Sequence, residues 1–192
     1  MNCKIILASN SPRRRELLKG LDIDFEVRVI HGINETYPHD IPVHDIPRYL
    51  ANLKADAYVK EGISDDELII TADTAVLIDG LLLEKPANRQ QAIEMLKTLS
   101  GRKHTVITAV TMTTKEKRND FSVASTVHFD TLSEDEIIRY VNKYQPFDKA
   151  GAYGIQEWIG YIGVKGIEGS FYNVMGLPVQ RLYRELQKNF IT

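Results

Sequence analysis

The stretch KIILASNSPRRRELLKG, residues 4–20, decides the fold class. KIILA, residues 4–8, is a short apolar run with β-branched side chains and reads as a buried strand. A helix then starts at Ser11. The serine serves as N-cap, Pro12 takes the first helical position, where a missing N–H costs nothing, and Gly20 ends the helix. Arg13, Arg14 and Arg15 fall in the first turn, where unpaired N–H groups already make the potential positive and each cation is disfavoured by roughly 0.3–1 kcal/mol. An anion bound at the helix start would offset this; a solvated basic turn beside Glu16 is the plainer alternative. Arg13 and Arg14 precede Leu17 and Leu18 by four residues and share their inner face, whereas Arg15 aligns with Lys19 toward water.

Further along, FEVRVI (25–30) reads as a strand, and a Pro- and His-containing loop through residues 31–45 leads to a helix from about Ile46 to Lys60. Its inner stripe is expected to be Tyr49, Leu50, Leu53 and Ala57, with Lys54 on the polar side. LIITADTAVLIDGLLL (68–83) is strand-like with an Asp79-Gly80 hairpin signal. A helix follows, capped by Asn88 with Gln91 reaching back, buried through Ala92, Ile93, Leu96 and Leu99, and closed by Gly101. Residues 104–114 and 120–130 form a hairpin around KEKRN, and Ser133 with Glu136 makes a capping box for the next helix. The glycine-rich stretch Gly151–Gly176 is expected to hold irregular strands and tight turns, and a last helix runs from about Pro178 to Lys188. This order predicts an α/β fold of mixed α+β character, with a sheet holding both parallel and antiparallel pairs.

The 192 residues, 43% hydrophobic and 26% charged, suit one domain over 1–192, in two lobes without a separate linker. A net charge of -2 argues against a general nucleic-acid binder or a membrane-surface protein. Cys3 is the sole cysteine, which excludes an intrachain disulfide and a cysteine-based metal site and fits the cytoplasm. MNCKIILAS is too short in apolar residues for a signal peptide or membrane span. The five histidines form no zinc pattern, and neither a G-x-S-x-G elbow nor a Walker A motif occurs.

Asp73 lies inside LIITADTAVLI, where an unpaired charge would be heavily penalised. A strand end or bulge at a cleft, with a metal ion or the arginines near, would make it a poised base or ligand; a plain turn is the alternative. Lys85, in EKP ahead of a helix, could reach a phosphate or simply be solvated. In DKAGAYGIQEW, closely spaced glycines let backbone approach a ligand, and Gln156 offers a donor and an acceptor, although a structural loop would look the same.

SNSPRRREL, ADTAV, EKP before ANRQQAIEML…LSG, DKAGAYGIQ and GSFYNVMGLP stand in order along the chain, which thereby resembles the Maf family of nucleoside triphosphate pyrophosphatases over nearly its whole length. The resemblance implies a two-lobed Maf/ITPase-like α/β fold around a central mixed sheet with flanking helices and an active-site cleft between the lobes. It also implies a cytoplasmic hydrolase that cleaves between the α and β phosphates with a divalent cation, Mg²⁺ or Mn²⁺, and a possible homodimer. Carried onto matching positions, it makes Asp73 the proton acceptor and Arg13, Thr74 and Gln156 the residues that set substrate preference. Ser9, Arg13, Arg14, Lys54 and Lys85 would bind the triphosphate, and Glu35 and Asp73 the metal; Asn34 stands where many members carry an acid. GAYGIQ resembles the branch acting on dTTP and UTP. A purine or 7-methyl-GTP pyrophosphatase, a phosphatase removing the terminal phosphate and a non-catalytic nucleotide-binding regulator of cell division remain the alternatives.

Overall fold

A computed structural model describes residues 3–190. The opening stretch folds as its sequence predicts: β1 (Lys4–Leu7) leads into α1 (Pro12–Lys19), whose N-cap Ser11 accepts from Arg14 N at 3.4 Å. β2 (Phe25–Val27) is shorter than the apolar run 25–30, because its parallel partner β1 ends at Leu7, opposite Val27. α2 (Ile46–Glu61) follows the expected boundaries but turns a different face inward, burying Ile46, Pro47, Leu50, Ala51, Ala55 and Tyr58. Tyr49 is exposed, and Lys54 flanks the buried face instead of standing on a polar side. The two alanines let the helix backbone approach its neighbours, which the larger residues of the expected stripe would prevent.

β3 (Glu67–Ile78) and β4 (Leu81–Leu83) form a hairpin about Asp79 and Gly80, with φ of 49° and 78°, the positive values that a two-residue type I′ turn requires. α3 (Arg89–Leu99) buries the four expected side chains, and its cap Asn88 accepts from Gln91 N at 3.0 Å. β5 (Lys103–Thr113) and β6 (Arg118–Phe129) are joined by a tight turn in which Thr114 N donates to Lys117 O. α4 (Glu134–Tyr144) carries the expected capping box. The glycine-rich region is more helical than its composition suggests: after a 3₁₀ turn (Ala150–Ala152) it forms α5 (Trp158–Gly163), β7 (Val164–Glu168) and α6 (Phe171–Met175). Tertiary packing overrides propensity here. Ile159 and Asn173 are buried, and Gly163 sits where a Cβ would press on Leu132. α7 (Val179–Asn189) ends the described chain.

One seven-stranded mixed sheet runs in the order β2-β1-β3-β5-β6-β7, with β4 pairing β3. β1 pairs β2 and β3 in parallel, whereas β3 with β4 and β6 with β7 are antiparallel. Two compact units can be distinguished. The first holds the chain up to Asp73, Thr108–Val123 and the chain from Gly176 on; the second holds Thr74–Ile107 and Ala124–Met175. In the first, Ile6, Tyr58, Ile63 and Ile69 cluster between sheet and α2. The second has a larger core that joins α3, α4 and the strands through Leu96, Leu99, Phe129, Tyr140 and Tyr153. Among the described residues no helix is long and apolar enough to cross a membrane.

Candidate active site

In the first unit, the edge of β3 has a gap between two partners. β1 accompanies β3 only as far as Ile70, whose carbonyl accepts from Ala8 N at 2.9 Å, and the pairing with β4 takes over only at Val76, opposite Leu83. The next carbonyl on that edge is Ala72 O, two residues on. Arg14 takes it: Nη1 donates to Ala72 O and Nε to Gly176 O, each at 2.8 Å. The helix start therefore aims a guanidinium fork at backbone acceptors that would otherwise lack partners. Burial lowers the Arg14 pKa; Asp73 and Glu35 push it back up and Arg13 opposes them, so these three charges lie within electrostatic reach of Arg14. Arg14 stays charged at neutral pH.

Strand alternation then gives Asp73 its direction. Ile69 packs with Tyr58 of α2, Thr71 Oγ1 donates to Ala51 O at 2.7 Å, and Asp73, on the same face, accepts at Oδ1 from Lys54 Nζ at 2.7 Å. Asp73 thus sits within an unbroken strand and not at a strand end or bulge, because Lys54 supplies the compensating charge. The same ammonium meets Glu35 Oε2 at 2.8 Å. The side chains of Lys54 and Asp73 are 14% and 16% exposed, that of Glu35 49%, so the group is open to solvent on the Glu35 side. Ser9 is buried and its Oγ accepts from Ser11 N at 3.2 Å, which fixes the turn between strand and helix. Arg13 is half-buried and Arg15 exposed, as their spacing predicts.

The remaining candidates belong to the second unit. Thr74 is half-buried in β3. Lys85 is exposed, and the carbonyl of its neighbour Glu84 accepts from Gly151 N at 3.2 Å, which ties EKP to the glycine-rich segment. Gln156 is half-buried, with Oε1 buried and without a hydrogen-bond partner.

Among the described residues no three or more His, Cys, Asp or Glu side chains group as a metal cage. Glu35 and Asp73 do converge on one ammonium. Two hard oxygen donors at a partly open position suit a small divalent cation that takes its other ligands from water and phosphate. The spacing of residues in sequence gave no sign of Lys54's role, since its expected helix face was wrong. It gave none either of Tyr58, whose hydroxyl accepts from Ile30 N at 3.1 Å and donates to Arg28 O at 2.6 Å, fixing the start of the loop that carries Glu35.

The model of Maf-like proteins matches residues 4–189. A dTTP/UTP pyrophosphatase of Parabacteroides distasonis is 61% identical over 96% of this chain and 95% of its own. One from Bacteroides thetaiotaomicron is 58% identical with the same coverage. Among solved structures, a HAM1 protein from Coxiella burnetii is similar at 14% identity and a TM-score of 0.47, with 97% of this chain and 99% of that one covered.

Proposed function

The chain belongs to the Maf family, and from that premise we propose that it is a nucleoside triphosphate pyrophosphatase acting on dTTP and UTP and releasing the monophosphate and pyrophosphate. The observation that carries this reading is the meeting of Arg14, Lys54, Glu35 and Asp73 in the first unit. Hydrolysis of a triphosphate needs charge neutralisation and an oriented water more than covalent chemistry. Arg13, Arg14, Lys54 and Lys85 supply cations for the phosphates, and Ser9 supplies a hydroxyl. Asp73 accepts a proton from the attacking water as that oxygen bonds to phosphorus and the bridging P–O bond breaks, with pyrophosphate leaving. Lys54 holds Asp73 through one oxygen, Oδ1, and so fixes the direction of the carboxylate. Glu35 and Asp73 would hold Mg²⁺ or Mn²⁺, and the bound ion would add charge neutralisation at the phosphate oxygens. Arg13, Thr74 and Gln156 are assigned to substrate preference. A single cysteine supports a cytoplasmic setting.

The test is a panel of dTTP, UTP, CTP, purine triphosphates and 7-methyl-GTP incubated with the purified protein and Mg²⁺ or Mn²⁺, with pyrophosphate and orthophosphate measured separately. Pyrophosphate from dTTP and UTP is expected. A preference for purines, release of orthophosphate or no turnover at all would overturn the reading.

A further inference from the structure

The loop that carries Glu35 has little backbone support. β2 ends where its partner β1 ends, opposite Leu7, and the chain's last bond to that strand runs from Arg28 N to Leu7 O at 3.2 Å. Among the described residues, those between 29 and 36 make hydrogen bonds or ion pairs at two points only, and α2 supplies both. At the stem, the Tyr58 hydroxyl accepts from Ile30 N at 3.1 Å and donates to Arg28 O at 2.6 Å, in place of the strand that is missing there. At the far end, Lys54 Nζ meets Glu35 Oε2 at 2.8 Å. Lys54 and Tyr58 stand at i and i+4 on α2, so one turn of one helix grips both ends of the segment from Ile30 to Glu35.

The two grips differ in what else they must do. Lys54 also holds Asp73 and is a cation offered to the phosphates, so the contact that reaches Glu35 is shared with the reacting groups. Tyr58 lies outside that group, and its hydroxyl is committed to the loop stem. Its ring packs with Ile6, Ile30, Ile63 and Ile69, where a phenylalanine would fit without desolvating a hydroxyl. Burial raises the Tyr58 pKa, so the hydroxyl keeps the proton that it donates to Arg28 O. A phenol among isoleucines is explained by the two backbone groups it satisfies, and fixing them shortens the free tether of Glu35 to residues 31–34. We propose that Tyr58 is a positioning residue: by anchoring the loop stem to the helix that carries Lys54, it keeps Glu35 beside Asp73 independently of the ammonium and so raises the affinity of this pair for a divalent cation.

This inference rests on the pyrophosphatase reading in giving Glu35 to the cation, so its test measures cation binding as well as turnover. Mn²⁺ binding is followed by electron paramagnetic resonance on the purified wild type, Tyr58→Phe, Glu35→Gln and the Tyr58→Phe/Glu35→Gln double variant, with hydrogen exchange over residues 28–36 and thermal melts. Tyr58→Phe keeps the ring in its apolar cluster and removes both hydrogen bonds. Its Mn²⁺ dissociation constant should rise about fivefold, the equivalent of one ordinary hydrogen bond, and its Ile30 amide should exchange faster. Glu35→Gln should weaken Mn²⁺ at least as much, and the double variant no further, because Tyr58 acts through Glu35. With dTTP, the Mn²⁺ needed for half-maximal pyrophosphate release should rise by the same factor while kcat at saturating Mn²⁺ holds. Leu186→Val, a core change on α7, separates positioning from stability, since it should lower the melting temperature and leave Mn²⁺ affinity as it was. Should Tyr58→Phe not fold, the wild type decides: an Ile30 amide that exchanges as slowly as the middle of α2 supports the anchor, and one as fast as residues 31–34 overturns it. An Mn²⁺ affinity unchanged in Tyr58→Phe, a loss confined to kcat, an equal fall in Leu186→Val, additive losses in the double variant, or a wild type that binds no Mn²⁺ would also overturn the proposal. Mn²⁺ binding that weakens as expected in a protein releasing no pyrophosphate would refute the pyrophosphatase reading and leave the positioning role standing.

Discussion

Lys54 and Arg14 show how differently two cations of one site can be used. Lys54 is a point charge between Glu35 and Asp73, whereas Arg14 is a fork on two backbone carbonyls. Arg14→Lys keeps the charge and loses the fork, which leaves Ala72 O or Gly176 O short of a donor; about 1–3 kcal/mol of stability should go with it, seen as a lowered melting temperature. A melting curve matching the wild type would show that the fork holds nothing together. Asp73→Asn keeps an acceptor for Lys54 and removes the proton-accepting charge. Turnover should fall by about 10²–10⁴ with little change in melting temperature, and near-normal turnover would refute the assignment. The residue types were legible in the sequence: arginines at a helix start and an aspartate in an apolar strand both break local rules. Their partners were not, because Lys54 lies 19 residues from Asp73 in the chain and Gly176 lies 162 from Arg14.

At the scale of elements, caps and tight turns followed sequence closely, since each depends on residues within four positions of one another. Asn88 illustrates this: its side chain accepts from Gln91 N, and Gln91 Oε1 reaches back to Ala87 N at 2.7 Å. Asn88→Ala should cost about 1 kcal/mol, a fall of roughly 2–4 °C in melting temperature for a chain of this length, readable by calorimetry. No change would mean that α3 is held by its buried stripe alone. Where an element depends on what it packs against, sequence was a weaker guide. α2 turned its Ala51–Ala55 side inward instead of the Tyr49–Leu53 side, and the glycine-rich region formed two short helices that its propensities disfavour.

Across the whole molecule, the core of the second unit contains an ionisable group that makes stability depend on pH. His104 on β5 is buried against Phe129 and Tyr153, with Nε2 2.7 Å from the Tyr153 hydroxyl, and burial pushes its pKa down from 6.5 to about 4, with a smaller contribution from the His128 charge. Above pH 6.5 the imidazole is neutral in both states. Below it the unfolded chain takes up a proton that the folded one refuses, so stability falls by up to about 1.4 kcal/mol per pH unit until the folded imidazole also protonates near pH 4. His104→Gln should melt with a shallower dependence between pH 6.5 and 4; parallel curves would exclude this contribution. No local signal marked His104, because β5 reads simply as a strand in sequence and only the folded core places Phe129 and Tyr153 around it. Sequence by itself determined the order of strands and helices outside the glycine-rich region, their caps and hairpin turns, and the family to which the chain belongs, because these rest on neighbours in the chain and on a motif order that one linear chain preserves. Tertiary structure alone decided which carbonyls Arg14 holds, that Lys54 joins Glu35 to Asp73, and how Tyr58 fixes the stem of the Glu35 loop. Those are contacts between groups far apart in the chain, and their geometry exists only once burial and strand register have brought the elements together.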